Sequence, residues 1–449
     1  MCVRAGARVT VVDDGTVGPG ILVRQPYADG DIGENKAVAL ARRLRTLRRG
    51  ADVHDVPGDA ISYLQPGQEA RGFELIIDAT ADVTVRAALE HTRKAAAEQW
   101  PPVVTLLIGH HARLGVAAVS RRGATGAGLD VLRRLGLAAR GTHAAALGDV
   151  ANDLYPRTPR TEVFLPEPGC SAPTFVGSYA EVSALSAALI TAALDALSGG
   201  GPAEAQQPMA AVAVRLDGAD VTWLGWRNDV LTLDDSGAYQ LRLSRPALAT
   251  MRAEARRGVR LRGPKVETGG MLLGEIDAAA GVVFVDVATP PPPDSLLSEL
   301  HFQHGVQGAQ EMVTHHHTRS GGITGFVGMW HTHPHRLASP SPTDEAGMAN
   351  LVTPVADGPR RALMLIIGGD AGEWADWING HAAADPLSGA TPEPVPALYA
   401  RLVRRGRSGI RPPAPPRPAG RYYPGGWAPV VPDRGGRRGW WYRLWRPTR

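Results

Sequence analysis

Two histidines one residue apart and shut off by a proline, in Trp330-His331-Thr332-His333-Pro334, restrict this chain more than any other stretch. Alternate residues of a strand face the same side, so a strand ending here lets both imidazoles meet one ion. Pro334 cannot continue a ladder and stops the strand. Asp344 lies eleven residues after His333, at the start of a helix predicted over Glu345–Leu351, and can add a carboxylate oxygen. Two nitrogens and one oxygen leave a fourth tetrahedral position for water, which suits a catalytic rather than a structural zinc. Zinc lowers the pKa of bound water to about 7 and polarises a scissile carbonyl. A base must still move the proton. Glu267, just before Thr268-Gly269-Gly270, is the candidate, and Ser341, between the ligands, can donate a hydrogen bond to an oxyanion.

The other histidines carry less. His315-His316-His317 precedes the Gly-rich turn Ser320-Gly321-Gly322 and reads as a solvated loop rather than a built site. His301, His304 and His335 stand alone, with no ligand spacing. A chain of 449 residues is too long for one ordinary core, and its 53 Gly and 37 Pro point to long connectors. Cys2 and Cys170 are the only cysteines, which excludes a disulfide framework or a Cys-rich zinc site and fits a reducing cytosol. Cys170, in Pro168-Gly169-Cys170, is open to two readings, a thioester-forming nucleophile or a buried thiol. The lack of a paired histidine or cation favours the thiol.

Patterning separates two halves. Val9–Val12, 74–77 and 103–108 read as strands, and 34–49 and 182–197 as helices, an alternation expected of an open parallel α/β sheet. Gly199–Pro208 reads as a linker, and short strands of undecided allegiance follow to about residue 241. A helix over 246–257 then opens an α+β pattern with strands at 271–273, 282–287, 323–329 and 363–367. The longest apolar run, Ser183–Leu197, is read as too short to span a bilayer and contains Asp195. No signal peptide is read at the start, so a cytoplasmic protein with no membrane partner is expected.

The residues of the metal motif resemble the JAMM/MPN+ (Mov34-type) zinc metalloproteases. That pattern is a glutamate, then His-x-His-Pro, seven residues to a serine and two more to an aspartate. Here seven residues separate His333 from Ser341 and two separate Ser341 from Asp344. Glu267-Thr268-Gly269-Gly270-Met271-Leu272-Leu273-Gly274 resembles the family's first strand, which carries its acid/base glutamate. The resemblance implies zinc-dependent cleavage of peptide or isopeptide bonds, often at the C-terminus of a ubiquitin-like protein.

In the first half, Asp13-Asp14-Gly15, Arg24-Gln25, Gly33-Glu34-Asn35-Lys36 and Asp78-Ala79-Thr80-Ala81-Asp82 with Arg86 resemble the ThiF/MoeB/ubiquitin-activating-enzyme fold. The resemblance implies Asp13 on an ATP ribose, Arg24 and Lys36 on phosphates, and a magnesium ion, for which Asp82 would stand in. Three departures count against ATP and magnesium. The Gly-rich loop with its preceding strand is missing, Gly15 replaces the family's second aspartate, and Ala81 replaces its magnesium ligand. A start codon set too late and genuine decay both account for the first.

The expected architecture is therefore α/β. An incomplete Rossmann-like parallel sheet of the ThiF type covers 1–199, a linker with short strands 200–240, an α+β JAMM/MPN domain 241–395, and a disordered Pro/Arg/Trp-rich tail 396–449. From Arg401 to Arg449 thirteen arginines face one aspartate, Asp433. This local charge of +12 leaves the preceding chain at −8 of the net +4. The tail's arginines and tryptophans suit nucleic acid or an anionic membrane, but a tail without a dedicated partner is favoured and nucleic acid is not expected. The function read from these motifs is a zinc isopeptidase acting on the tail of a ubiquitin-like or sulfur-carrier-like protein, with a homodimer as an option. The alternatives are an ATP-dependent adenylyltransferase for such a tail and a non-catalytic scaffold that binds it.

Overall fold

A computed structural model of the chain describes residues 2–64, 72–94, 97–158, 176–218, 221–352, 359–380 and 395–404. They divide into two compact units, with the division between Asn228 and Asp229. Cys170 and residues 405–449 lie outside the described residues.

The first unit opens with α1 (Cys2–Ala5), β1 (Val9–Val12), α2 (Lys36–Arg45), β2 (Val53–Val56) and α3 (Ala60–Tyr63). β1 and β2 pair in parallel, and β2 adds a strand to those read from the sequence, whose 74–77 strand instead begins another sheet. Asn35 starts α2 by accepting hydrogen bonds from the amides of Ala37 and Val38. A second sheet follows from β3 (Ile76–Asp78), α4 (Val83–Lys94), β4 (Val103–Ile108) and β5 (Leu114–Ser120). The helices α5 (Gly128–Arg140), α6 (Ala144–Leu154) and α7 (Tyr179–Leu197) then lead to β6 (Met209–Arg215) and β7 (Val221–Trp226).

The strand order is β3-β4-β5-β6-β7. Only β3 and β4 pair in parallel; every later pairing is antiparallel. The expected parallel sheet is thus mixed. The reason begins at residues 109–113, which are too few for a crossover and force β5 back alongside β4. β5 is buried on both faces. Leu114, Val116 and Ala118 enter a core with Val131, Leu132 and Leu135 of α5, whereas Ala117 and Val119 meet Leu185 and Leu189 of α7.

Two sequence expectations change here. β6 and β7 fall in the segment read as linker and short strands, and they join this sheet, Met209 pairing with Ser120. The apolar helix α7 starts at Tyr179 rather than 182 and reaches 19 residues, 18 of them averaging a hydropathy of 1.5, so by length and composition alone it can cross a bilayer. Its Leu185, Leu189, Ala193 and Ala196 are buried within the unit.

The second unit runs β8 (Val230–Leu233), β9 (Gln240–Leu243), α8 (Arg245–Arg262), β10 (Gly269–Asp277), β11 (Val282–Ala288), β12 (Leu296–Leu297) and β13 (Phe302–Gln303). It continues with α9 (Ala309–Arg319), β14 (Gly325–His333), α10 (Pro342–Leu351), β15 (Arg361–Gly368), α11 (Ala371–Asn379) and β16 (Ala397–Arg404). Seven strands form one sheet in the order β16-β15-β14-β10-β11-β9-β8, with β14/β15 and β11/β9 parallel. Leu248 and Met251 of α8 and Trp374 and Trp377 of α11 share one core with Trp330 of β14.

The sheet extends past both expected ends of the domain. β8 lies before residue 241. β16 occupies 397–404, where a tail was expected, and buries Ala400 and Leu402 against that core. The histidine triplet 315–317 is helical rather than a loop, in α9, where Ala309 and Val313 are the buried residues.

β10 and β14 form the centre of the sheet, with Gly269 opposite His331 and Gly270 opposite Trp330. Glycine is needed at both positions because the backbones approach closely. A Cβ on Gly269 would lie 2.3 Å from the Trp330 carbonyl oxygen and 2.5 Å from the Phe302 ring. One on Gly270 would lie 2.1 Å from the Thr289 carbonyl, the group that accepts the Trp330 indole hydrogen at 3.1 Å. Gly269→Ala is expected to cost about 1–3 kcal/mol of stability by overpacking, as read by urea denaturation.

Candidate metal centre

The pleat of β14 sorts its last four residues. Trp330 points into the core, and His331 and His333 share the other face. Thr332 locks the strand end to β10: its amide donates to the Thr268 carbonyl at 2.8 Å, and its hydroxyl accepts from the Thr268 amide at 3.0 Å. Glu267 lies two residues before Gly269, the β10 residue opposite His331. Its carboxylate is buried, with 4% of the side chain exposed.

α10 supplies the third donor. Ser341 is its N-cap and Asp344 its third residue, in a reciprocal capping box. The Asp344 amide donates to Ser341 Oγ at 3.2 Å, and the Ser341 amide donates to Asp344 Oδ2 at 2.7 Å. Pro342 takes the first helical position. The helix thus starts three residues earlier than the expected Glu345, and the cap itself orients Asp344. Ser341→Ala is expected to destabilise the protein by about 1 kcal/mol and to weaken metal binding, measured by denaturation and metal titration.

The three side chains converge. His331 Nε2 lies 3.1 Å from His333 Nε2 and 3.2 Å from Asp344 Oδ1, and His333 Nε2 lies 3.5 Å from Asp344 Oδ2. One donor atom from each of the three residues lies within 4.8 Å of the other two, and the N,N,O set is one that zinc takes, with donors roughly 3.3–3.5 Å apart in a tetrahedral site. Burial favours a neutral Asp344, but hydrogen bonds from His331 and His333, with help from Ser341, hold it well below the usual carboxylate range. The described residues contain no other group of three His, Cys, Asp or Glu so placed. On α9, His317 Nδ1 sits 3.0 Å from the Thr324 carbonyl, and its two neighbours join no such group.

One partner was not legible from spacing. Arg336, three residues past His333, forms an ion pair with Glu267, and its Nη2 also lies 3.5 Å from the Glu299 carbonyl. The partners are 69 residues apart in sequence, and nothing local signals the contact.

The first unit's candidates are placed separately. Asp13 Oδ1 accepts from the Gly15 amide at 2.8 Å, and a Cβ on Gly15 would meet both Asp13 Oδ1 and Lys36 Nζ, so Asp13 and Lys36 flank that glycine. Arg24 is buried, which lowers its pKa. Asp82 Oδ1 accepts from the amide and hydroxyl of Thr84 at 2.8 Å each, in a turn at the start of α4. Burial raises the pKa of Asp78, whose carboxylate accepts from Thr80 and Thr105.

Residues 244–379 match the family model of prokaryotic homologs of the JAB domain, a span that contains Glu267 and all three converging side chains. These residues form a JAB domain. The JAB-containing chain is 29% identical over 142 residues to the "CD-NTase/cGAS isopeptidase" of Enterobacter hormaechei subsp. hoffmannii (strain UCI 50), covering 32% of this chain and 74% of that protein. It is 27% identical over 106 residues to the "Probable metalloprotease y4qB" of Sinorhizobium fredii (strain NBRC 101917 / NGR234), covering 23% of this chain and 64% of that protein. Among solved structures it is similar to E. coli MccB, with 11% identity and a TM-score of 0.32, covering 50% of this chain and 58% of that one. The chain therefore spans less than two thirds of the Sinorhizobium protein and of MccB.

Proposed function

We propose that this chain is a zinc-dependent peptidase of the isopeptidase kind, acting in the cytoplasm on the C-terminal tail of a ubiquitin-like or sulfur-carrier-like small protein. The convergence of His331, His333 and Asp344 on one point, with donor atoms within 4.8 Å of one another, carries the reading. The likeness of the JAB domain to an isopeptidase supports the bond type.

His331, His333 and Asp344 would hold the zinc. When bound, that ion supplies Lewis acidity toward a carbonyl oxygen and toward water. Glu267 takes the proton from the attacking water and returns it to the departing amine, which suits a buried carboxylate two residues before the glycine opposite His331. Ser341, whose oxygen accepts from the Asp344 amide, would turn its hydroxyl hydrogen from the Asp344 carboxylate to the developing oxyanion.

The test is a zinc-loaded preparation mixed with a ubiquitin-fold protein whose terminal Gly-Gly is joined through an isopeptide bond to a lysine peptide. Mass spectrometry is expected to detect the intact carrier and the free peptide, and a zinc chelator is expected to stop their release. Release that persists in His331→Ala, or an intact conjugate after prolonged incubation, would contradict the reading.

A further inference from the structure

The loop after the second histidine is built to deliver one arginine. Pro334 ends β14, and His335 turns the chain in the left-handed region at φ 58°, a conformation that non-glycine residues rarely adopt. Arg336 is then pinned by its backbone on both sides. Its amide donates to the His333 carbonyl at 3.2 Å, and its carbonyl accepts from the Gly369 amide at 2.7 Å. Gly368 leaves room for this contact, since a Cβ there would lie 2.5 Å from the Arg336 oxygen. From that fixed backbone the guanidinium reaches Glu267 Oε1, while 42% of the side chain stays exposed.

Glu267 needs such a partner. A buried carboxylate is costly unless it is paired and hydrogen-bonded. Among the described residues, Arg336 is the only side chain that pairs with it. The contact engages Oε1 of the two carboxylate oxygens.

We propose that Arg336 is a positioning residue for hydrolysis: it fixes the orientation of the Glu267 carboxylate so that one oxygen faces the attacking water. This role rests on the peptidase reading above, with Glu267 as acid/base. Arg336 itself touches no reacting atom.

The experiment uses the full chain with Arg336→Ala, Arg336→Lys, Glu267→Gln and the Arg336→Ala/Glu267→Gln pair. The probe is the isopeptide-linked Gly-Gly conjugate described above. Loss of a partner that orients a functional group typically costs about 10- to 100-fold, so kcat is expected to fall by that much in Arg336→Ala. KM should stay within about twofold and zinc content should not change, because uniform binding and the metal donors are untouched. Arg336→Lys should recover part of kcat, and the double variant should be no slower than Glu267→Gln alone. In protein stripped of metal, the same variants form a double-mutant cycle, and the unfolding free energies should be non-additive. That readout does not depend on catalysis.

An unchanged or raised kcat in Arg336→Ala, while Glu267→Gln is inactive, overturns the role of Arg336 alone. Additive unfolding energies overturn the ion pair itself. Full activity in Glu267→Gln instead sinks the peptidase reading on which the role depends.

Discussion

Glu267→Gln is expected to slow hydrolysis of an isopeptide-linked conjugate by about 10²- to 10⁴-fold while zinc remains bound, the usual contribution of a positioned general acid–base. Glutamine keeps the size of the side chain and its place just before β10 but cannot accept and return a proton. The surrounding strand is held independently, by the Thr268–Thr332 hydrogen bonds and by the Gly269–His331 register, so the donors on β14 should keep their positions. Kinetics together with elemental analysis check the outcome. A large fall in kcat at unchanged zinc stoichiometry separates the proton shuttle from the metal site.

His331→Ala is expected to remove metal and activity together. One of only three protein donors disappears, so the loss of zinc affinity should exceed the 10- to 100-fold typical of changes outside the ligand set. A stability readout follows by mass action. Zinc at 100 times its dissociation constant should stabilise the native protein by about 2.7 kcal/mol, and this gain should nearly vanish in the variant. Thermal unfolding with and without zinc measures it. A variant that still gains the full stabilisation would move the metal to other donors.

How much of this was legible depended on distance along the chain. The two histidines share a face because strand periodicity is two, a fact readable from three residues. Asp344 followed from its spacing, but the start of α10 did not. The Ser341–Asp344 capping box uses aspartate where glutamate or glutamine is usual, which hid the helix start. Arg336 was unreadable, since its partner lies on another strand and no local rule links them.

The fold shows the same limit. β5 is an unbroken apolar run, which gives no periodicity to separate a buried strand from a buried helix. The place of β6 was hidden because its partner Ser120 lies 89 residues upstream of Met209. β16 was obscured by composition. Arg401 and Arg404 make 397–404 look like the arginine-rich sequence beyond, although Ala400 and Leu402 are buried. α9 was missed because only Ala309 and Val313 bury, too sparse a stripe to announce a helix.

Anomalous diffraction at the zinc edge, on crystals of the zinc-loaded protein, tests the metal centre most directly. The account predicts a single peak about 2.0–2.2 Å from His331 Nε2, His333 Nε2 and an Asp344 carboxylate oxygen. A peak at the α9 histidines, or none within bonding distance of those three side chains, would contradict it.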